Sequence, residues 1–380
     1  MEEKNNSYWP VILILLFGIM IFARGSLYDM DSYYFAGISC GTIDFRPETD
    51  SFFTGLFFPL LPCDLLAFKA VLLGLFTLCV FIVERIGRLV SQRYAHWLFF
   101  IMGGSLSFYT YFSRFEDDTL GMPFVFGSLY FLTRFALKKD YRDFLMALGI
   151  CGVGFLFWKG IAIWGLVVLS AGLFGWLASA AILYFFSEML IPRFFPLVSE
   201  ELPLAGVLSS GLILVGALAV PSYLIPSVSL SFMLALIKLK YSLFLGLLCG
   251  LGLYIWLCKK SFFEGESKTV LGLKKPTTLL LLMLVVNAAG ILGILQGPPS
   301  VDIQNLAQTF TERVHSEGLS SAFNDWELGH LIRYHGIQPS NEYGPPSPSF
   351  DGINGFVLTR QGLDCPVFAS VEEIYAYDCR

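Results

Sequence analysis

Residues 64–83 read DLLAFKAVLLGLFTLCVFIV, and this stretch decides the fold. Lys69 is the only charged residue between Leu65 and Val83. A helix needs about 20 apolar residues to cross a hydrocarbon core roughly 30 Å thick, and this run meets that length. Lipid offers the backbone no water, so a spanning segment of this kind must satisfy its N–H and C=O groups internally, as a helix does. Comparable apolar runs recur at approximately 9–23, 95–112, 120–137, 142–158, 161–186, 203–225, 241–258 and 277–296, which with the first makes about nine spans. The composition agrees: 55% of the 380 residues are hydrophobic and 14% are charged, where a soluble domain carries about 25% charged residues. The expected fold is mainly α, a polytopic transmembrane helical bundle over residues 1–296, followed by a small extracytoplasmic α/β segment over 297–380.

The formal net charge is -5, and without a clustered basic face the chain has no means of neutralising phosphates along a duplex, so nucleic-acid binding is excluded. The opening MEEKNNSYWP followed by VILILLFGIMIFARG has no small-residue cleavage pattern and reads as a retained first span. Short loops differ in positive charge. Arg85, Arg88 and Arg93 lie in one, Arg134, Lys138, Lys139 and Arg142 in a second, and Lys259, Lys260, Lys268, Lys274 and Lys275 in a third. Positive loops stay cytoplasmic. That assignment gives a multi-pass cell-membrane protein with a cytoplasmic N-terminus, and places 24–63, 113–119, 226–240 and everything beyond about 297 on the outer face. Lys238 and Lys240 run against it. Cys40 and Cys63 share the first outer loop and Cys365 and Cys379 share the tail, so either two exterior disulfides or four thiols fit the spacing.

Acidic residues concentrate where the outer loops meet the membrane. The first loop carries Asp29 and Asp31; the second, YFSRFEDDTLGMP, carries Glu116, Asp117 and Asp118 between two apolar helices. Adjacent carboxylates repel one another and call for a neutralising cation. Hard oxygen donors at this density suit Mg2+ or Mn2+, whereas Zn2+ prefers His and Cys. The competing explanation is structural, because acids in the first turn of a helix are favoured by its dipole.

Three motifs in order resemble the catalytic subunits of oligosaccharyltransferases, membrane glycosyltransferases of the GT-C class. DMDSYYFAG (29–37) is similar to their first outer loop, FEDDTLGMP (115–123) to the acidic motif of their second, and the stretch Asp325, Trp326, Glu327, Leu328 and Gly329 lies where the family has W-W-D-Y-G after its last span. The FWKG turn with Trp158 and Gly160 adds a weaker likeness. The resemblance implies a GT-C-like fold and a metal-dependent glycosyltransferase that moves a glycan from a lipid-linked polyprenyl phosphate or pyrophosphate donor to an extracytoplasmic acceptor polypeptide, at asparagine. It implies Asp31, Glu116 and Asp118 as catalytic residues, and Asp31, Glu116, Asp117 and Asp118 as metal ligands. Asp325, Trp326 and Glu327 would bind the acceptor. Arg114 and Arg46 would hold the donor phosphate, with Arg24 and Lys159 as further candidates. The family's later acidic ligand has no counterpart in 226–240; Glu188, Glu200 and Glu201 are the nearest acids.

Two rivals stand beside this reading. A GT-C transferase using a polyprenyl monophosphate sugar and another acceptor would need the outer acidic loop but not residues 325–329. A transporter or non-catalytic homologue would need polar groups deep in its spans. In the tail, 303–316 has amphipathic spacing, AFNDWELG reads as strand end, turn and helix start with Asn324 or Asp325 as N-cap, 341–352 reads as a loop, and the last 25 residues alternate as a short β element. His330 and His335, five apart, do not share a helix face.

Overall fold

The computed structural model describes residues 8–28, 31–46, 51–103, 108–171, 220–237, 242–260, 300–340, 350 and 354–380, with isolated positions between 262 and 288. These form two compact units. One comprises Met1–Ile19, Leu73–Phe112 and Leu120–Ile294; the other comprises Met20–Leu72, Ser113–Thr119 and Leu295–Arg380.

The first unit is helical. Its described helices include α1 (Trp9–Ala23), α4 (Leu65–Val90), α5 (His96–Gly103), α6 (Phe108–Ser113), α7 (Asp117–Lys138), α8 (Tyr141–Gly154), α9 (Ile161–Leu169), α10 (Ile225–Ile237) and α11 (Ser242–Lys259), of which α1, α4, α6 and α7 have end residues assigned to the second unit. Among the described residues, α4 and α7 are long and apolar enough to cross a membrane, while Pro10–Ala23 and Leu243–Lys259 are shorter apolar helices. At 1.5 Å per residue α4 is about 39 Å long, more than a hydrocarbon core requires. α7 carries Asp117 and Asp118 in its first turn and Lys138 in its last, charges that oppose the helix dipole at both ends. It stops at Lys139, which takes a left-handed φ of 61°. Asp140 then caps α8 by accepting from the Arg142 N–H at 2.9 Å.

Aromatic rings fill this unit. Phe17 stacks on Phe76 at 3.8 Å, and Phe76 meets Phe112 edge-on at 5.2 Å. Polar groups are paired across helices, as lipid-embedded packing requires: the Trp164 indole N–H donates to Ser128 Oγ at 2.5 Å, and Arg134 pairs with Asp143 at 3.3 Å. Trp158 of the FWKG turn is buried; a Cβ on Gly121 would lie 2.7 Å from its side chain and one on Gly160 2.5 Å. Glycine at both positions is therefore what lets the indole in.

Within the expected outer segment 226–240, the structure forms a helix over Ile225–Ile237. Ser227 of this helix is buried, and its hydroxyl accepts from that of Ser170 at 3.1 Å. Lys238 and Lys240 lie outside the described residues, as do Glu188, Glu200 and Glu201, residues 172–186 of the expected span 161–186, and most of the expected spans 203–225 and 277–296.

In the second unit, α2 (Ser32–Cys40) and α3 (Thr54–Phe57) come from the first loop. Disulfides join Cys40 to Cys63 and Cys365 to Cys379, while Cys79, Cys151, Cys249 and Cys258 are not disulfide-bonded. The tail opens with α12 (Val301–Ser316), whose N-cap Ser300 accepts from the Ile303 N–H at 3.2 Å. Ile303, Leu306, Ala307, Phe310 and Val314 recur at helical spacing and are all buried. Phe310 stacks on Phe368 at 6.1 Å and meets Phe356 edge-on at 6.3 Å.

A short antiparallel ribbon, β1 (Thr269–Val270) and β2 (Leu273–Lys274), precedes the tail. The tail's own sheet has β3 (Ser321–Asn324), β4 (Gln338–Pro339), β5 (Phe356–Thr359), β6 (Val367–Val371) and β7 (Ile374–Asp378) in the order β4-β3-β5-β7-β6. β3 runs parallel to β4 and β5, and β7 runs antiparallel to β5 and β6. A parallel neighbour needs a crossover, and between β3 and β4 it is α13 (Trp326–Tyr334). The amphipathic helix, the strand-to-helix turn and the terminal β element thus stand where the sequence pattern puts them. The 341–352 loop falls outside the described residues except for Phe350.

Candidate active site

The second unit holds all three motifs: Asp31 of the first loop, residues 116–118 up to the Ser113–Thr119 boundary, and the 325–329 stretch. The two outer loops are joined at the backbone. Tyr28 and Arg114 form a parallel β-bridge, and Ser32 Oγ accepts a hydrogen bond from the Phe115 N–H at 2.9 Å while donating to the Tyr28 carbonyl at 2.6 Å. Asp31 and Glu116 are the immediate sequence neighbours of the two residues so joined. A second tie comes from further along the first loop, where Ser51 Oγ donates to Asp117 Oδ2 at 3.0 Å. The Phe115 ring is buried between Phe58 at 5.0 Å and Phe68 at 4.6 Å. Three stretches far apart in the chain therefore converge on the residue that precedes the acidic triplet.

The four acids differ in setting. Asp31 is exposed and stands at the N-cap of α2 in helical conformation, making no capping hydrogen bond with its side chain. Glu116 is buried, with Oε1 3.9 Å from Arg114 Nε. Asp118 is 2% exposed, and its Oδ1 is buried with no hydrogen-bond partner among the described residues. Asp117 and Asp118 also occupy the first turn of α7, so the dipole explanation applies to both. Asp29 lies outside the described residues. Among the described residues no group of three or more His, Cys, Asp or Glu side chains is arranged to hold a metal ion. The donor chemistry of these carboxylates suits Mg2+ or Mn2+.

The tail helix α13 packs on α2, the helix that Asp31 begins. Tyr34 meets His330 at 5.1 Å, Tyr33 meets Tyr334 edge-on at 5.3 Å, and Arg333 Nε donates to the Thr42 carbonyl at 3.4 Å. Burial, followed by the charges of Arg46 and Arg333, pushes His330 down to about 4; burial also lowers His335. Both imidazoles are neutral at physiological pH. Burial raises Tyr33 and, with the charge of Asp64, Tyr334.

Asp325 has a structural task. Its Oδ2 accepts from Thr359 Oγ1 at 2.9 Å and from the Arg360 N–H at 2.7 Å, fastening the end of β5 to the start of α13. The expected cap is made by its main-chain carbonyl, which accepts from the Leu328 N–H at 3.0 Å, and not by its side chain. Trp326 and Glu327 open α13. Of the phosphate candidates, Arg24, Arg46 and Arg114 belong to this unit and Lys159 to the other. Ser32 and Ser51, which join the loops, are ordinary hydroxyls in the sequence. Only the polar character of Ser32 beside Asp31 sets it apart there.

Residues 64–199, just over a third of the chain, match the family model described as dolichyl-phosphate-mannose-protein mannosyltransferase. No curated protein matches the chain. The two long apolar helices fit an integral membrane protein. The family match supports a GT-C class membrane glycosyltransferase that uses a lipid-linked donor, without singling out the oligosaccharyltransferase branch.

Proposed function

We propose that the chain transfers a sugar from a polyprenyl monophosphate to an acceptor hydroxyl on the extracytoplasmic side of the membrane, with Asp31 as general base and Glu116 and Asp118 completing the acidic site. The observation that carries this reading is the Ser32–Phe115 hydrogen bond, which brings the Asp31 and Glu116 loops together. Asp31 is exposed, so an acceptor can reach it. Its carboxylate would take the acceptor proton as the oxygen attacks the anomeric carbon. The bond from that carbon to the phosphate oxygen breaks, the electron pair leaves on the polyprenyl phosphate, and the configuration inverts, by analogy with inverting glycosidases. Holding two substrates in register supplies much of the acceleration.

The monophosphate donor is favoured over the asparagine-directed reading by two observations. The matched family is described by a dolichyl-phosphate-mannose donor, and Asp325 of the 325–329 stretch has one carboxylate oxygen committed to Thr359 and Arg360. The asparagine reading keeps Trp326 and Glu327 as acceptor contacts, and an ion among Asp31, Glu116, Asp117 and Asp118 belongs with it. The deciding experiment incubates the reconstituted full-length protein with dolichyl-phosphate mannose and serine- or asparagine-containing peptides. Release of dolichyl phosphate with mannosylation of the hydroxyl peptide is expected; transfer to neither peptide, with the donor left intact, would overturn the reading.

A further inference from the structure

The first loop exposes apolar side chains just before α4 begins. Residues 51–63 read SFFTGLFFPLLPC and carry no charge. Within them α3 runs directly into a single 3-10 turn, Phe58–Leu60. Part of the segment is buried: Phe58 packs its ring against Phe35 at 5.1 Å and Phe115 at 5.0 Å, and Ser51 and Thr54 are buried beside it in sequence. Between these, at intervals of four residues, Phe52, Leu56 and Leu60 are 62%, 51% and 82% exposed. Leu66, in the first turn of α4, continues the series at 60%.

Single exposed apolar residues are ordinary, but a run of large ones without an intervening charge marks a protein or membrane contact. Three observations favour the membrane. The segment leads through Pro62 and Cys63 into α4, which is long and apolar enough to cross a bilayer and has 39% of its apolar window buried within the protein; the exposed run is continuous with that helix. A protein interface carries hydrogen bonds among its apolar contacts, yet Thr54 is the one polar side chain from 52 to 62, and it is buried. The main chain also suits lipid, where polar groups must be satisfied internally. The N–H groups of Thr54, Leu56, Phe57 and Leu61 bond to carbonyls inside the segment, and Pro59 and Pro62 have none to satisfy.

We infer that residues 52–61 form an interfacial element that inserts Phe52, Leu56 and Leu60 among the acyl chains of the leaflet in which α4 begins. Its buried groups hold the acidic loop, through the Phe58 ring on Phe115 and through Ser51 Oγ, which donates to Asp117 Oδ2 at 3.0 Å. The Cys40–Cys63 disulfide ties the end of the element to the end of α2. Anchored in lipid on one side and fastened to Phe115 and Asp117 on the other, the element sets the height of the carboxylates above the hydrocarbon. The inference needs α4 to cross the membrane and does not depend on the transferase chemistry.

The test replaces Phe52, Leu60 or, for comparison, Glu373 in the β6–β7 turn with the photoreactive p-benzoylphenylalanine, one position at a time. All three positions are exposed, so the replacements leave the core intact. Full-length protein in phosphatidylcholine liposomes is illuminated and its mass measured. Adducts of one phosphatidylcholine are expected at positions 52 and 60, at least about tenfold more abundant than at 373, the factor that burying one leucine side chain in hydrocarbon supplies. Because the element carries no charge, the yield should stay within about twofold when phosphatidylglycerol replaces phosphatidylcholine. Adducts of twice the chain mass would assign the exposed residues to a second copy, and adducts with another polypeptide would assign them to a protein partner. Either result overturns the inference. So do a yield at 373 equal to that at 60, a yield that requires phosphatidylglycerol, and the absence of any adduct at 52 and 60.

Discussion

The Phe115 N–H donates to Ser32 Oγ across 83 residues of sequence, at 2.9 Å. Ser32 passes the bond on to the Tyr28 carbonyl, so one hydroxyl satisfies two main-chain groups from two loops. Ser32→Ala would leave both without their partner at a position that is 0% exposed. The expected loss is about 1–3 kcal/mol of stability, seen as a lowered midpoint of thermal unfolding in detergent, with sugar transfer falling alongside. A midpoint within about 1 °C of wild type would show that the loops are held together by other contacts.

His330 gives the tail a defined acid sensitivity. Its folded value, about 4, lies below the ordinary 6.5, so the unfolded chain binds the proton first. Stability is full above about pH 6.5, falls as pH drops through the window to about 4, and is then lower by about 3 kcal/mol. His330→Gln should flatten unfolding midpoints measured across that window. A slope as steep as wild type would place the acid sensitivity in other groups.

Glu327 separates the two acceptor chemistries. With a hydroxyl acceptor and a monophosphate donor, Glu327→Ala should leave the acceptor KM within about twofold of wild type. A rise in KM for an asparagine peptide, with kcat kept, would restore the oligosaccharyltransferase reading and give α13 an acceptor contact.

Chelation addresses the ion. Base chemistry by the carboxylates themselves predicts transfer within about twofold after EDTA treatment. Loss of transfer that Mn2+ or Mg2+ restores would require a cation among Asp31, Glu116, Asp117 and Asp118, completed by a ligand from elsewhere.

Much of the architecture was legible because its signals are local. The apolar run from Leu65 to Val83 spans α4 without any long-range information, and the 303, 306, 310, 314 spacing of α12 declares its buried face. The packing of residues 225–237 was not legible, because Ser227 finds its partner in Ser170, 57 residues away. The candidate site was legible as to residue type and not as to wiring. Three adjacent acids announce themselves, but that Ser51 would hold Asp117, 66 residues on, is a tertiary fact. Asp325 looked like a cap for the same reason, since the threonine that claims its carboxylate comes 34 residues later.

The central claim is that carboxylates from two distant loops act as one site. Its most direct test measures sugar release from dolichyl-phosphate mannose by reconstituted Asp31→Asn, Glu116→Gln and the double variant. Each single change is expected to lower kcat by about 100-fold or more, and the double variant to fall little further, because groups that act as a unit are not additive. A single variant that turns over at the wild-type rate would contradict the account.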